Sequence, residues 1–164
     1  MKPEVIDYTT NTKYSSENKV NNESVTYHTF VHGCCEKGSL LTRPTALSSG
    51  CKFLEITKEH DMRTREAIDA CKQSIKGPED TFFWCSPCTG GSSRQTYNIA
   101  KAFQTGNLGT LYKIRGHREL HEQLKPAFFE CAEHSISVGA KVIVEWPDGC
   151  LYHDDPDYVA FFEK

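Results

Sequence analysis

Two short segments of the sequence carry residue types that could do chemistry. Ser86-Pro87-Cys88 follows one apolar run, and Glu145-Trp146-Pro147 follows another. A cysteine thiolate can attack an electron-poor carbon and form a covalent intermediate. A helix predicted to start after Gly91-Ser92-Ser93 would bring its positive dipole end near Cys88 and favour the thiolate. Cys88 is therefore a candidate nucleophile.

Cys88 has two other interpretations. With Cys85 it forms a Cys-x-x-Cys pair, and His117 and His121 could complete a zinc set of two cysteines and two histidines. The segment between the two pairs is longer than that of a zinc finger. Alternatively, Cys85 fills the core from its apolar strand and Cys88 is an ordinary loop thiol. His117 and His121 lie one helical turn apart, a spacing that also suits a solvated helix face.

Three further residues have both a functional and a structural interpretation. Glu145 ends an apolar run, and an acid buried there without a partner would be costly, so it indicates either function or an arginine partner. Trp146 could stack on a flat ligand or cap the edge of a sheet. Arg94 could contact a phosphate at a helix start, where Ser92 and Ser93 could equally act as plain caps.

The composition describes one folded unit. The chain has 164 residues, of which 38% are hydrophobic, and it includes nine Phe, seven Tyr and two Trp. The net charge of −3 argues against a strongly basic protein that coats nucleic acid, although a local basic patch stays open. Eight cysteines without a secretion signal are expected to be thiols rather than disulfides.

The same sequence features bear on location. No run approaches about eighteen apolar residues, and no signal-type segment follows Met1. We expect an intracellular, cytoplasmic protein with no membrane partner, or one inside the host cell if the source is viral.

The order of apolar patterns predicts an α/β domain. Residues 1–24 are polar and predict a flexible N-terminal arm, and residues 25–164 form the domain. Within it we expect a polar stretch ending at Gly116, a kink or restart at Pro126, and a short helix from Ser39-Leu40-Leu41. Strands are predicted over Val25–Val31, Cys51–Thr57, Thr81–Cys85 and Ala140–Glu145, and helices over Thr64–Lys76, His117–Ile136 and Pro156–Phe162.

This alternation is typical of a three-layer fold, a mostly parallel twisted sheet with helices on both faces. Ligands of such sheets bind at the carboxyl ends of the strands. The rule gathers the segments that follow the strands along one edge, namely His32-Gly33, Glu59-His60-Asp61, Ser86-Pro87-Cys88 and Glu145-Trp146-Pro147.

The last two of these segments resemble a known family. The run from Phe82 to Ser92, with Pro87-Cys88 at its centre, and the later strand ending at Glu145 are similar to the Pro-Cys and Glu-Asn-Val elements of DNA cytosine-5 methyltransferases. The resemblance implies a compact, divergent methyltransferase-like Rossmann fold over residues 25–164. It also implies that Cys88 attacks the cytosine ring and that Glu145 pairs with the ring nitrogen.

The resemblance also implies a site for S-adenosylmethionine. The first loop (His32, Gly33, Cys34) would approach the methionine part of the cofactor, and Glu59 or Asp61 would accept hydrogen bonds from the ribose hydroxyls. Ser86 and Pro87 would complete the cofactor site. Gly33 has an alternative as an ordinary turn, and the acids have one as a solvated helix entry.

The sequence is consistent with three functions. The leading one is S-adenosylmethionine-dependent methyl transfer to a nucleic-acid base, with Arg94 and Trp146 contacting the substrate and no metal ion. A chain of 164 residues leaves no room for a target-recognition domain, so a separate recognition subunit or a homo-oligomer is the expected partner besides nucleic acid. The alternatives are a catalytically degenerate interaction or assembly subunit and a zinc-stabilised binding module.

Overall fold

The structure, a computed structural model, describes residues 28–35, 37 and 51–163. Two short 3-10 helices span Cys88–Gly90 and Leu151–Asp154. The predicted arm over residues 1–24 and the predicted helix at Ser39-Leu40-Leu41 lie outside the described residues. The described strands are β1 (His28–Cys35), β2 (Cys51–Thr57), β3 (Thr81–Trp84) and β4 (Lys141–Val144), and the α-helices are α1 (Arg65–Ser74), α2 (Arg94–Thr105), α3 (Leu108–Ser137) and α4 (Pro156–Phe162).

The four strands form one parallel sheet in the order β2-β1-β3-β4. Val31 in β1 lies opposite Leu54 in β2 and Phe82 in β3, so apolar side chains of neighbouring strands share one face. The α/β class and the parallel sheet predicted from the sequence are confirmed.

The main core lies between this face and the helices. Phe128 of α3 packs against Phe82 and Trp84 of β3, with ring centroids 6.2 and 5.6 Å apart. The strands contribute Val31, Leu54, Ile56, Phe82 and Trp84 to this core, and α1, α3 and α4 contribute Ala67, Ile68, Leu124, Phe128, Cys131, Tyr158 and Phe161.

The opposite face of the sheet carries a second apolar row. Phe30 lies beside Phe53 of β2 and Phe83 of β3, with both pairs of ring centroids 5.5 Å apart. In the part of the chain that the structure describes, α1, α3 and α4 all join the core of the first face.

Side-chain caps define where several helices begin. The Thr64 hydroxyl accepts a hydrogen bond from the Ala67 amide, the Asn107 side chain accepts from Thr110, and the Asp155 carboxylate accepts from Asp157. Such caps satisfy backbone donors that a first helical turn leaves without partners.

The structure corrects three predictions about the elements. β1 continues through Gly33 to Cys35 instead of ending at Val31, and the residues of that prediction before His28 lie outside the described residues. The helix predicted from His117 begins earlier, at Leu108, whereas the helix predicted after Ser93 is present as α2. The predicted restart at Pro126 is absent, because α3 is one helix through this residue.

Candidate active site

The predicted loops meet along the carboxyl edge of the sheet. β1, β3 and β4 are neighbours and all run parallel, so the segments after Cys35, Trp84 and Val144 leave from the same edge. The chain reverses direction across the sheet between β1 and β3, which is the position where ligands bind in open α/β sheets.

A cleft of about 750 Å³ opens beside this position. We call it the edge cleft. Four residues predicted to bind a cofactor line it: Cys34, Glu59, Asp61 and Pro87. Its apolar wall comes from Met62, Leu120 and Leu124. A volume of this size is in the range of clefts that hold small molecules.

The two acids of the edge cleft differ in their hydrogen-bond partners. Asp61 accepts hydrogen bonds on both carboxylate oxygens from Arg63, at 2.7 to 3.1 Å. These bonds hold the pKa of Asp61 below its ordinary value. Glu59 is exposed, and its backbone amide donates to the Thr57 hydroxyl at 3.2 Å. Because Arg63 already engages Asp61, Glu59 is the acid better placed to accept bonds from a ligand.

Cys34 has an unusual backbone. Its φ of 61° places a residue with a side chain in the left-handed region, next to an irregularity in the pairing of β1 with β2. Burial is the largest cause that raises the pKa of its thiol to about 12, so the thiol is protonated at neutral pH. Cys34 can line a ligand site, and it is not an activated nucleophile.

The other two residues predicted for the first loop do not line the edge cleft. His32 is buried against Phe83, with ring centroids 5.1 Å apart, and neither ring nitrogen has a hydrogen-bond partner. Burial lowers the pKa of His32. Gly33 lies inside β1, where a Cβ would stand 2.8 Å from Cε3 of Trp84, so this glycine makes room for the indole.

Glu145 contacts a different cysteine from the one predicted. The Cys85 thiol donates to Glu145 Oε2 at 3.0 Å, and the carboxylate is exposed. Burial, followed by this hydrogen bond and the carboxylate charge, raises the pKa of Cys85 to about 12. The carboxylate therefore stabilises the neutral thiol of Cys85.

Cys88 begins the 3-10 helix that follows Pro87, and it packs half-buried against the main core. A thiolate charge at Cys88 would raise the pKa values of Cys85 and Cys150, and the Glu145 carboxylate raises the same two. Cys88 and Glu145 thus lie in one neighbourhood, as the loops predict, with Cys85 bonded directly to the acid.

Two glycines set how closely the Cys88 loop packs. A Cβ on Gly90 would lie 2.9 Å from the backbone nitrogen of Arg118, and one on Gly91 would lie 2.9 Å from the ring of Tyr152. Arg118 also donates from Nε to the Gly90 carbonyl at 3.0 Å. The residues after Cys88 therefore attach the loop to α3.

A buried polar network behind the loop was not predicted. The Trp146 indole donates to the Ser86 hydroxyl at 3.0 Å, and this hydroxyl lies 3.5 Å from Nδ1 of His121. The His121 ring stacks on Tyr152 with centroids 3.5 Å apart, and burial lowers the pKa of His121. Ser86 and Trp146, predicted for cofactor and substrate, are thus buried parts of the framework.

The predicted zinc set is not assembled. Across residues 28–35, 37 and 51–163, the group of metal-ligating atoms within 4.8 Å of one another is His121, Glu122 and Asp155, without Cys85, Cys88 or His117. The Lys125 ammonium lies 3.1 Å from Glu122, 2.8 Å from Asp155 and 2.8 Å from Asp157. Burial alone would lower the pKa of Lys125, but these carboxylates raise it. An internal cation therefore already occupies this cluster and offsets part of its negative charge.

Comparison with known proteins gave no relative. No protein-family model, curated protein or solved structure matches this chain. In the described part of the chain, no helix combines the length and the apolar character needed to cross a membrane.

Arg94 opens a pair of helices that form a basic surface. Residues 94–118, which we call the basic hairpin, contain five basic and no acidic residues. All five are exposed: Arg94, Lys101, Lys113, Arg115 and Arg118. Three aromatic side chains of the basic hairpin are also open to solvent, Tyr97 at 66%, Phe103 at 71% and Tyr112 at 69%. The signal in the sequence is the absence of acidic residues over 94–118, and the prediction used only Arg94 of this set.

Proposed function

We propose that the protein is an S-adenosylmethionine-dependent methyltransferase that acts on a nucleic-acid base by cytosine-5 chemistry. One observation carries the proposal. Adjacent parallel strands β3 and β4 bring the loop of Cys88 and the segment of Glu145 to one edge of the sheet, and Pro87 of the same loop lines the edge cleft. This is the pairing of elements that the resemblance to cytosine-5 methyltransferases requires.

The chemistry assigns one role to each residue. The Cys88 thiolate adds to the ring carbon beside the methylated position, and the displaced electron pair makes that position nucleophilic while Glu145 holds a proton at the ring nitrogen. S-adenosylmethionine, when bound, supplies the electrophilic methyl group. Loss of the ring proton to water then breaks the carbon–sulfur bond and returns the thiolate to Cys88.

The edge cleft suits the cofactor chemically. Glu59 offers a carboxylate for ribose hydroxyls, and Met62, Leu120 and Leu124 offer an apolar surface for a flat ring. The cleft also has the volume of a small-molecule site, about 750 Å³.

The basic hairpin supports nucleic acid as the substrate class. Its five basic side chains stand in a chain whose net charge is −3, so positive charge is concentrated on α2 and the start of α3. Exposed Tyr97 and Tyr112 offer rings on which unpaired bases can stack. We expect binding to single-stranded oligonucleotides that weakens as salt rises.

The finer fold assignment belongs to the same proposal. A methyltransferase-like Rossmann domain has helices on both sheet faces, and the apolar row of Phe30, Phe53 and Phe83 offers a surface that such a second layer would cover.

Two observations favour a second candidate, a catalytically degenerate assembly subunit. Glu145 is already bonded to Cys85, and an exposed apolar groove runs beside β4. In this alternative the fold is kept for association and the cofactor does not bind.

Calorimetry with S-adenosylmethionine and with its demethylated product separates the two candidates. We expect both to bind to the purified full chain, and Glu59→Gln to weaken binding. If neither compound binds, the methyltransferase proposal is overturned and the assembly subunit is favoured.

The nucleophile is tested by trapping on an oligonucleotide that contains 5-fluorocytosine. Wild-type protein with S-adenosylmethionine should form a covalent adduct, because fluorine cannot leave as the proton does. Cys88→Ser should abolish the adduct, whereas Cys51→Ser, at the other end of the sheet, should retain it. Undiminished adduct in Cys88→Ser would remove Cys88 from this role.

A further inference from the structure

The outer side of β4 is an open edge. Within the described residues β4 pairs only with β3, so one row of its backbone donors and acceptors faces away from the sheet. A groove of about 520 Å³ runs beside this edge, between β4 and α4. Three exposed apolar side chains line it, Ile143 at 43%, Val159 at 38% and Phe162 at 54%.

The backbone bonds show which residues face outward. The amides of Lys141 and Glu145 donate towards β3, to Asp80 at 3.0 Å and Trp84 at 2.9 Å. Since the backbone N–H and C=O groups of successive residues point to opposite sides of a strand, Val142 and Val144 present theirs to the open edge.

The order of residues along this edge is self-complementary. Lys141-Val142-Ile143-Val144-Glu145 has opposite charges at its two ends and Ile143 at its centre. An antiparallel copy centred on Ile143 puts each lysine opposite the glutamate of the other chain. It also puts Val142 opposite Val144, and these two residues carry the outward backbone groups that a hydrogen-bonded antiparallel pair needs.

We propose that two copies of this protein associate through β4, antiparallel about a two-fold axis, and join their two sheets into one. Val142 and Val144 of each copy fill the groove of the other, where Val159 and Phe162 are covered. A second copy is the occupant because the order of charges along β4 is complementary to that of a second β4 running in the opposite direction. This inference does not depend on methyl transfer.

The dimer also changes the candidate active site. Lys141 of the partner subunit would lie opposite Glu145, the carboxylate that accepts the hydrogen bond from Cys85. Opposite residues of an antiparallel pair lie on the same sheet face, so the lysine adds a cation to the surroundings of this acid.

Exchange of the two charges tests the register. Sedimentation of the full chain over a range of concentrations should show a dimer for the wild type. Lys141→Glu alone and Glu145→Lys alone place like charges opposite each other, and each should weaken association by roughly tenfold or more. An equimolar mixture of the two variants should recover the dimer, because each mixed pair is then of opposite charge. The double variant should recover it as well.

The apolar groove is tested with a matched pair. Phe162→Glu should weaken the dimer, whereas Phe103→Glu, on α2 and also open to solvent, should leave it intact. Circular dichroism shows that each variant is folded. A wild-type chain that stays monomeric at every concentration overturns the proposal, as does a dimer that survives Lys141→Glu, Glu145→Lys and Phe162→Glu.

Discussion

Among single residues, the two thiols of the candidate site, Cys85 and Cys88, differ in their contact with a carboxylate. Cys85 shares its proton with Glu145, while Cys88 lies at the start of the next turn, next to the Gly90-Gly91 pair that holds the loop against α3. A carboxylate bonded to a thiol works against the thiolate. The structure therefore separates a protonated cysteine from the proposed nucleophile by two intervening residues.

Removal of the Glu145 charge should make Cys85 more reactive. In Glu145→Gln the nearby negative charge is lost, so the pKa of Cys85 falls from about 12 and the thiolate fraction at mildly alkaline pH rises. Peptide-level mass spectrometry after brief iodoacetamide treatment should show faster alkylation of Cys85. Glu79→Gln, an exposed acid at the other end of β3, is the matched control and should change nothing. Slower or equal alkylation in Glu145→Gln would contradict the assigned hydrogen bond.

The two acids of the edge cleft should differ in their effect on cofactor binding. Glu59→Gln removes the acceptor best placed for ribose hydroxyls and should weaken S-adenosylmethionine binding by roughly tenfold, the size of a lost charged hydrogen bond. Asp61→Asn should have a smaller effect, because Arg63 already engages both oxygens of Asp61. Calorimetry on the two variants measures both losses, and a larger loss in Asp61→Asn would reverse the assignment.

At the scale of elements, the loop after β3 is attached to α3 through close backbone contact. Gly90 approaches the Arg118 backbone, and Gly91 approaches Tyr152. These contacts explain why glycines follow Thr89, since a side chain at Gly90 would push the loop away from α3 and one at Gly91 would push it away from Tyr152.

Two alanine substitutions test this attachment. Gly90→Ala forces a Cβ to 2.9 Å from a backbone atom and should lower the free energy of unfolding by about 1 to 3 kcal/mol. Gly116→Ala, on α3 with nothing within 4 Å of the added carbon, should instead raise it by up to about 1 kcal/mol. Urea unfolding of both variants gives the comparison. Equal effects would mean that the loop can move away without cost.

The elements that sequence predicts best have clear ends. β2 agrees over Cys51–Thr57 because Gly50 and Lys58 bound an apolar run, and α4 agrees over Pro156–Phe162 because Asp155 and Pro156 mark a helix start. The helix predicted after Ser93 is α2, whereas the start of α3 at Leu108 was missed because α3 has no buried residue before Ile114.

The sequence predicted the site only to the extent that it predicted where the strands end. Parallel strands explain why Cys88 and Glu145 come to one edge. The bonds of Glu145 to Cys85 and of Ser86 to Trp146 join residues far apart in the chain. They depend on how β3, β4 and α3 pack against one another. The spacing of residues in the sequence does not reveal this packing.

At the scale of the whole molecule, buried titratable groups should confine stability to a window of pH. Burial lowers the pKa values of His32 and His121 from 6.5, and it raises those of Cys34, Cys35 and Cys85 from 9.0 to about 12. Below pH 6.5 the unfolded histidines gain protons that the folded ones resist. Above pH 9.0 the unfolded thiols lose protons that the folded ones keep. Stability therefore falls on both sides.

Thermal unfolding across this range checks the prediction. The Tm should be highest between about pH 6.5 and about pH 9, and it should fall towards both acid and alkaline pH. His32→Phe, which keeps a ring between Phe30 and Phe83, should make the acid decline shallower. A Tm that stays level from acid to alkaline pH would contradict the burial of these groups.

The tip of the basic hairpin has a consequence for how the protein can be extended. Residues 103–109, where α2 ends and α3 begins, are all exposed, and none belongs to the main core. Extra chain inserted at such a tip leaves the packing of the remaining domain in place. A fluorescent label or a whole accessory domain can therefore be introduced between Gly106 and Asn107, at a point that is neither an end of the chain nor part of the edge cleft.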